Sequence, residues 1–198
     1  MLVVLSSPSG GGKTVIARSL LKKHPEFGRS ISFTTREKRK GEKEGIDYYF
    51  VSREDFHKKI KERQFAEWAL VFGNYYGTPN KNIQKAEGKI KVLLLVLDVQ
   101  GGLAAKRKYP DSVLIFILPP SLAELEKRLS HRGTDKPEVI KKRLKTALKE
   151  VTFCKRYDYI VVNRKLNDTV KHLEEIITAE KHRANRTMLE VCLRRKSK

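Results

Sequence analysis

Apolar residues along this chain fall in short continuous runs separated by longer stretches with helical spacing. Leu2–Leu5, Val92–Leu97, Val113–Leu118 and Tyr159–Val162 are runs of leucine, β-branched and aromatic side chains without polar alternation, the pattern of strands buried on both faces. Between them lie amphipathic stretches. Val15–Lys23 reads as a helix; Ile140, Leu144, Leu148 and Val151 share one face of a segment opening at Pro137; Val170, Leu173, Ile176 and Ile177 form a comparable face later on. Strands alternating with helices predict an α/β fold, a mostly parallel sheet flanked by helices.

The style changes between Arg36 and Gly88. Asp47–Val51 reads as a strand, a charged helix follows from Ser52, and Phe65–Phe72 runs into the turn-prone pair Gly73-Asn74. This predicts a small strand-rich insertion on the main sheet. Ser130–Lys136 is a polar loop between two helices, and Gly133 suits it to move as a lid. From Lys181 to Lys198 seven Lys or Arg residues stand against one acidic residue, Glu190, which predicts a basic tail.

Composition adds one unusual feature. The 198 residues carry 43 Lys+Arg against 23 Asp+Glu, a formal net charge of +20, so phosphate-bearing ligands are attracted whatever the function. No apolar run approaches the length of a membrane span, and Met1–Leu5 lacks the features of a leader, so a cytoplasmic location is expected. Cys154 and Cys192 lack metal-ligand spacing and are expected to be reduced thiols. Nucleic-acid binding has only the charge in its favour, without a stacking platform or docking motif, so at most a non-specific interaction is expected.

The most informative segment is Ser7–Thr14, S-P-S-G-G-G-K-T, set between an apolar strand and a helix. Glycines there let successive backbone N–H groups converge on phosphate oxygens, Lys13 reaches the β- and γ-phosphates, and the Thr14 hydroxyl suits Mg²⁺. The helix that follows adds positive potential at the same point. Ser7, Pro8, Ser9, Gly10, Gly11, Gly12, Lys13 and Thr14 are therefore the candidate ATP-binding residues, in a sheet of the P-loop NTPase type. Ser7 stands where the general pattern has its first glycine.

Further motifs follow in order: Ser32-Phe33-Thr34-Thr35-Arg36, Arg39, Gly41-Glu42, Gly45, Asp47-Tyr48, Glu67-Trp68-Ala69, Gly73-Asn74-Tyr75-Tyr76-Gly77-Thr78, Asp98, Gln100-Gly101, Pro119-Pro120-Ser121, Arg128, Arg132-Gly133-Thr134-Asp135, Arg143 and Val162-Asn163. Taken together, these resemble the guanylate kinase family over approximately residues 1 to 181. The resemblance implies transfer of the γ-phosphoryl of ATP to GMP, with dGMP a further possible acceptor and Mg²⁺ accompanying ATP. It implies that Arg36, Arg39, Tyr48 and Tyr76 hold the GMP phosphate and that Ser32, Glu67 and Thr78 address the guanine. Guanidinium forks and tyrosine hydroxyls suit a phosphate dianion, and one carboxylate can accept from both guanine N1–H and the 2-amino group. Lys13, Arg128, Arg132 and Arg143 are the implied catalytic residues, with Arg132 also lying against adenine.

The family pattern carries a carboxylate two residues before Asp98, near the guanine, where this chain has Val96. Asp98 is a candidate to reach Mg²⁺, directly or through water, with a structural hydrogen bond as the alternative role. The expected organisation is a domain over 1–184, made of a core (1–32 and 89–184), a GMP-binding insertion (about 33–88) and a lid (about 125–150), followed by a tail over 185–198. A non-catalytic interaction module and a kinase for another acceptor are the competing readings. The intact Lys13 opposes the first and Glu67 the second.

Overall fold

Strand β1 (Leu2–Ser6) lies at the centre of a five-stranded parallel sheet in a computed structural model that describes residues 1–86, 92–130 and 137–186. On one side it pairs with β7 (Val92–Val96), which also pairs with β2 (Phe27–Arg29). On the other it pairs with β8 (Val113–Leu118), followed by β9 (Tyr159–Val162), giving the order β2-β7-β1-β8-β9. Successive side chains of a strand point to opposite faces, and here both faces are covered, so both must be apolar. Val3, Leu5, Leu94 and Ile115 pack with Ile16 and Leu20 of α1 (Lys13–Lys23) and with Val170, Leu173 and Ile177 of α7 (Leu166–Lys181). Val4, Leu93, Leu95, Leu114 and Phe116 pack on the other face with Ile83 of α3 (Asn80–Ala86) and with Val99 and Leu103 of α4 (Val99–Lys108). The uninterrupted apolar runs are the direct consequence.

A second sheet, of order β4-β3-β6-β5, is built from β3 (Phe33–Thr34), β4 (Tyr49–Phe50), β5 (Phe65–Val71) and β6 (Asn74–Pro79). Only β3 and β4 run parallel; β6 is antiparallel to both its neighbours. Helix α2 (Arg53–Lys61) begins at Ser52, whose hydroxyl accepts the Asp55 N–H at 3.0 Å, and inserts the fully buried Phe56 against Phe65 and Tyr75. Two local expectations are corrected. Within Asp47–Val51 only Tyr49 and Phe50 pair as strand, because Asp47 turns its carboxylate to the Lys43 N–H and to the Arg18 guanidinium. The hairpin turn is centred on Phe72-Gly73, not Gly73-Asn74: Asn74 already pairs with Val71, and φ is 48° and 80° at the two central residues. Positive φ at both is what a tight hairpin requires, and at Phe72 it is strained.

Helices α5 (Leu122–Ser130) and α6 (Pro137–Thr152) pack through Leu125, Leu129 and Ala147, with Leu144 half-buried beside them. Leu148, read from the sequence as part of the buried face, is 49% exposed. The contact of α6 runs through Leu144 and Ala147 instead, because a small residue lets the two helices approach. A 3-10 turn, Phe153–Arg156, links α6 to β9. Arg132 and most of the Ser130–Lys136 loop lie outside the described residues, as do Cys192 and residues 187–198. Cys154 is half-buried and unpaired with another cysteine among the described residues. No helix among them is long and apolar enough to cross a membrane.

Past α7 the chain folds back on the domain. The buried Glu180 carboxylate accepts from Tyr159 Oη at 2.6 Å and from Arg186 Nη1 at 2.7 Å, and Arg186 Nη2 reaches the Asp111 carbonyl. Arg186 lies inside the segment that the sequence reads as tail. Truncation after Ala184 is therefore expected to cost roughly 1–3 kcal/mol by leaving Glu180 short of a partner. Arg186→Ala in the full chain should cost a similar amount, since it removes the same partner; chemical denaturation of the two variants checks this.

Candidate active site

The loop between β1 and α1 is shaped by glycines that no other residue replaces freely. Gly10 and Gly12 have φ of 90° and 93°, and a Cβ at Gly10 would stand 2.9 Å from Leu129 Cδ2. Ser7 is accommodated at the loop entrance because Gly11 faces it: a Cβ there would lie 2.5 Å from Ser7 Oγ. The Gly11 N–H donates to the Pro8 carbonyl at 2.9 Å, closing the turn. Lys13 Nζ folds back to donate to Ser7 O at 2.7 Å and to Ser7 Oγ at 3.2 Å. Buried Asn163, at the end of β9, donates from Nδ2 to Gly11 O at 3.3 Å and is held in turn by the Thr169 hydroxyl.

This loop opens into a cleft of about 280 Å³ whose opposite wall is the second sheet. Ser7, Ser9, Gly10 to Thr14, Asp98 and Arg143 line the loop side; Ser32, Arg36, Arg39, Tyr48, Glu67 and Tyr76 line the other. Three of the expected residues do not line it. Pro8 serves the turn, Thr78 is fully buried behind Glu67, and Arg128 Nε pairs with Glu124 Oε1 at 2.9 Å while its Nη2 reaches the Asn163 carbonyl at 3.4 Å. Arg132 lies outside the described residues.

Arg36 is held by Glu42, its Nη2 lying 2.8 and 3.0 Å from the two carboxylate oxygens, and its guanidinium sits 5.6 Å from the centroid of the Tyr48 ring. Burial works against the guanidinium charge, but the Glu42 carboxylate and Tyr76 outweigh it and leave the pKa of Arg36 raised. Tyr48 and Tyr76 meet edge to face with centroids 5.9 Å apart, and burial pushes the Tyr48 phenol up, with Tyr76 adding to it. The Tyr48 and Tyr76 hydroxyls beside the Glu42-held Arg36 make a donor-rich pocket suited to an anion.

Glu67, just past a register shift between Phe65 and Glu67 on β5, presents its carboxylate to α4 and the cleft. Its carboxylate is buried, accepts the Thr78 hydroxyl on Oε1 at 2.5 Å, and lies so close to α4 that a Cβ at Gly101 would meet Oε2 at 2.7 Å. Burial raises its pKa to about 7; the Thr78 hydrogen bond opposes this and the Asp98 charge adds to it. Asp98 caps α4, its Oδ1 accepting the Gly101 N–H at 3.0 Å. The alternative structural role considered for Asp98 is thus occupied by one of its oxygens. Val96 and Leu97 add apolar wall beside it.

Two acidic residues in this site carry no role in the sequence reading. Glu150 of α6 lines the cleft and accepts the Ser9 N–H on Oε2 at 3.2 Å, and Glu42 anchors Arg36. A glutamate within the charged run of α6 has no local signal separating it from its solvated neighbours. Glu42, in a glycine-flanked turn six residues after Arg36, could have been read as its partner.

A central parallel strand, a loop with two left-handed glycines and a returning lysine at a helix start define a P-loop nucleotide-binding protein. The family model described as "Guanylate kinase" matches residues 1–180. The chain is 47% identical over 193 residues to a guanylate kinase of Carboxydothermus hydrogenoformans, covering 98% of this chain and 95% of the relative. It is 46% identical to one of Clostridium perfringens, covering 94% and 86%. The solved structure of guanylate kinase from Anaplasma phagocytophilum superposes with a TM-score of 0.80 at 40% identity, covering 94% of this chain and 88% of that one. The chain belongs to the guanylate kinase family.

Proposed function

We propose that this chain transfers the γ-phosphoryl of ATP to GMP, giving ADP and GDP. The observation that carries this reading is the single cleft shared by the phosphate loop and by the Glu67, Arg36, Tyr48 and Tyr76 constellation. ATP and GMP are both anions, so the protein must neutralise them and hold donor and acceptor oxygens in line. In this reading the loop N–H groups and Lys13 bind the ATP phosphates. Arg36, Arg39, Tyr48 and Tyr76 hold the GMP phosphate, Ser32 and Glu67 address the guanine with Thr78 behind Glu67 holding its carboxylate, and Arg128, Arg132 and Arg143 close over the developing charge. The acceptor oxygen is largely deprotonated near neutral pH, so no general base is needed. The working parts are the core (1–32 and 89–186, Arg186 belonging to it through Glu180 and Asp111), the acceptor unit (33–88) and the lid (125–150), with residues 187–198 a basic extension in sequence.

Among the described residues no cluster of three or more acidic, histidine or cysteine side chains could hold a metal alone. The oxygen donors beside the loop include the Thr14 hydroxyl and the second oxygen of Asp98, with the Glu150 carboxylate engaged by the Ser9 N–H. That set fits a Mg²⁺ ion arriving with nucleotide phosphates and water rather than a resident metal. When bound, Mg²⁺ neutralises charge on the β- and γ-phosphates. Thr14 would hold it directly and Asp98 directly or through water.

An acceptor panel tests the proposal: ATP and Mg²⁺ with GMP, dGMP, AMP, CMP or UMP. Turnover with GMP and dGMP but not with the other three is expected; equal turnover across the panel would contradict it. A narrower prediction concerns Gly101. Gly101→Ala forces its methyl group against Glu67 Oε2 and should raise KM for GMP roughly 10-fold or more, since small misplacements at a binding group cost that much. The methyl would also stand 3.0 Å from Asp98 Oδ1, so KM for ATP should rise too but by less, and initial-rate kinetics separate the two.

A further inference from the structure

The loop corner at Ser9–Gly10 is gripped from one side by the two helices that carry Arg128 and Arg143. Gly10 sits so tightly on α5 that a Cβ would meet Leu129 Cδ2 at 2.9 Å and Leu125 Cδ1 at 3.1 Å. One residue earlier, the Ser9 N–H donates to Glu150 Oε2 of α6 at 3.2 Å. Leu125, Leu129 and Ala147 lock α5 and α6 to each other. Glu150 is the polar member of this grip, and it lines the cleft. Burial raises its carboxyl pKa, while the Lys13 charge and the Ser9 N–H oppose the rise.

Arg143 lies seven residues before Glu150, two helical turns along the same face, or roughly 10 Å. It also lines the cleft, and its guanidinium stands 5.8 Å from the centroid of the Phe72 ring at the tip of the β5–β6 hairpin. The cleft face of α6 thus touches the donor loop at Glu150 and the acceptor hairpin through Arg143. A helix anchored at one end transmits its anchor position to the other end.

We infer that Glu150 is a positioning residue: through the Ser9 N–H it sets the register of α6 on the phosphate loop, and thereby the reach of Arg143 to the transferring phosphoryl group. The inference rests on the phosphoryl-transfer reading above. Since Glu150 acts through a hydrogen bond accepted from a backbone N–H, a glutamine preserves the link and an alanine removes it.

The experiment compares wild type, Glu150→Ala and Glu150→Gln by initial rates with ATP and GMP, well below the unfolding midpoint of each, with Lys13→Ala as control. Glu150→Ala is expected to lower kcat by about 10- to 100-fold, the usual cost of a catalytic group displaced by about an ångström. KM for both substrates should stay within about 3-fold, and Glu150→Gln should recover most of kcat, because uniform binding is untouched. Unchanged kcat in Glu150→Ala, a glutamine variant as slow as the alanine variant, or a loss confined to KM would each overturn the inference. Wild type without Lys13-dependent turnover of GMP would instead overturn the reading of function on which it stands.

Discussion

Replacing Lys13 with alanine is expected to lower kcat by on the order of 10³-fold, the scale set by removing a cation from a phosphoryl-transfer site. Lys13 Nζ is held by Ser7 O at 2.7 Å and Ser7 Oγ at 3.2 Å, so its ammonium is parked at the loop entrance. The same side chain reaches the β- and γ-phosphates in a P-loop, where it balances charge that grows during transfer. The loop itself is shaped by Gly10, Gly12, Asn163 and the Pro8 carbonyl, none of which depends on the lysine charge. Thermal unfolding of Lys13→Ala should therefore stay close to wild type while turnover collapses. A parallel loss of both would mean that Lys13 supports the fold.

Glu67→Gln is expected to lower kcat/KM for GMP by on the order of 10²-fold or more while leaving nucleotide-donor binding nearly unchanged. A buried site built to accept two guanine donors rejects a ligand strongly once one acceptor becomes a donor. Equal losses for every acceptor would instead assign Glu67 a structural role. The pH dependence follows from the same burial. With its pKa raised from 4.5 to about 7, the folded protein retains a proton that the unfolded chain has released between those values. Glu67 therefore contributes less to stability as pH rises from about 4.5 to about 7. In the proposed role of Glu67, guanine binding has the opposite sign, because only the carboxylate accepts from both donors. In wild type, kcat/KM for GMP should rise with pH through about 7, and the Glu67→Gln profile should lack that ionisation.

The central sheet was legible because both of its faces are covered, which leaves β7 and β8 as unbroken apolar runs. The phosphate loop was legible because its backbone needs glycine at fixed places. The second sheet was less so. Its strands are short, and which of Asp47 to Val51 pair is decided by Arg18 on α1, twenty-nine residues away in sequence. The turn falls at Phe72-Gly73 and not at the turn-prone pair Gly73-Asn74, since cross-strand pairing of Val71 with Asn74 sets the register. Leu148 misled because helical periodicity identifies a stripe but not which small residue, here Ala147, lets a neighbouring helix approach. Glu150 was invisible for a related reason: its partner is a backbone N–H 141 residues away in sequence, and no side-chain pattern encodes that.

The claim that one cleft joins a phosphate donor loop to a guanine-directed acceptor wall is tested most directly by following the γ-phosphoryl group. With γ-labelled ATP, Mg²⁺ and GMP, label should appear in GDP, should depend on Lys13, and should not appear when AMP replaces GMP. Label released as inorganic phosphate at the same rate with or without GMP, or carried equally to AMP, would contradict the account.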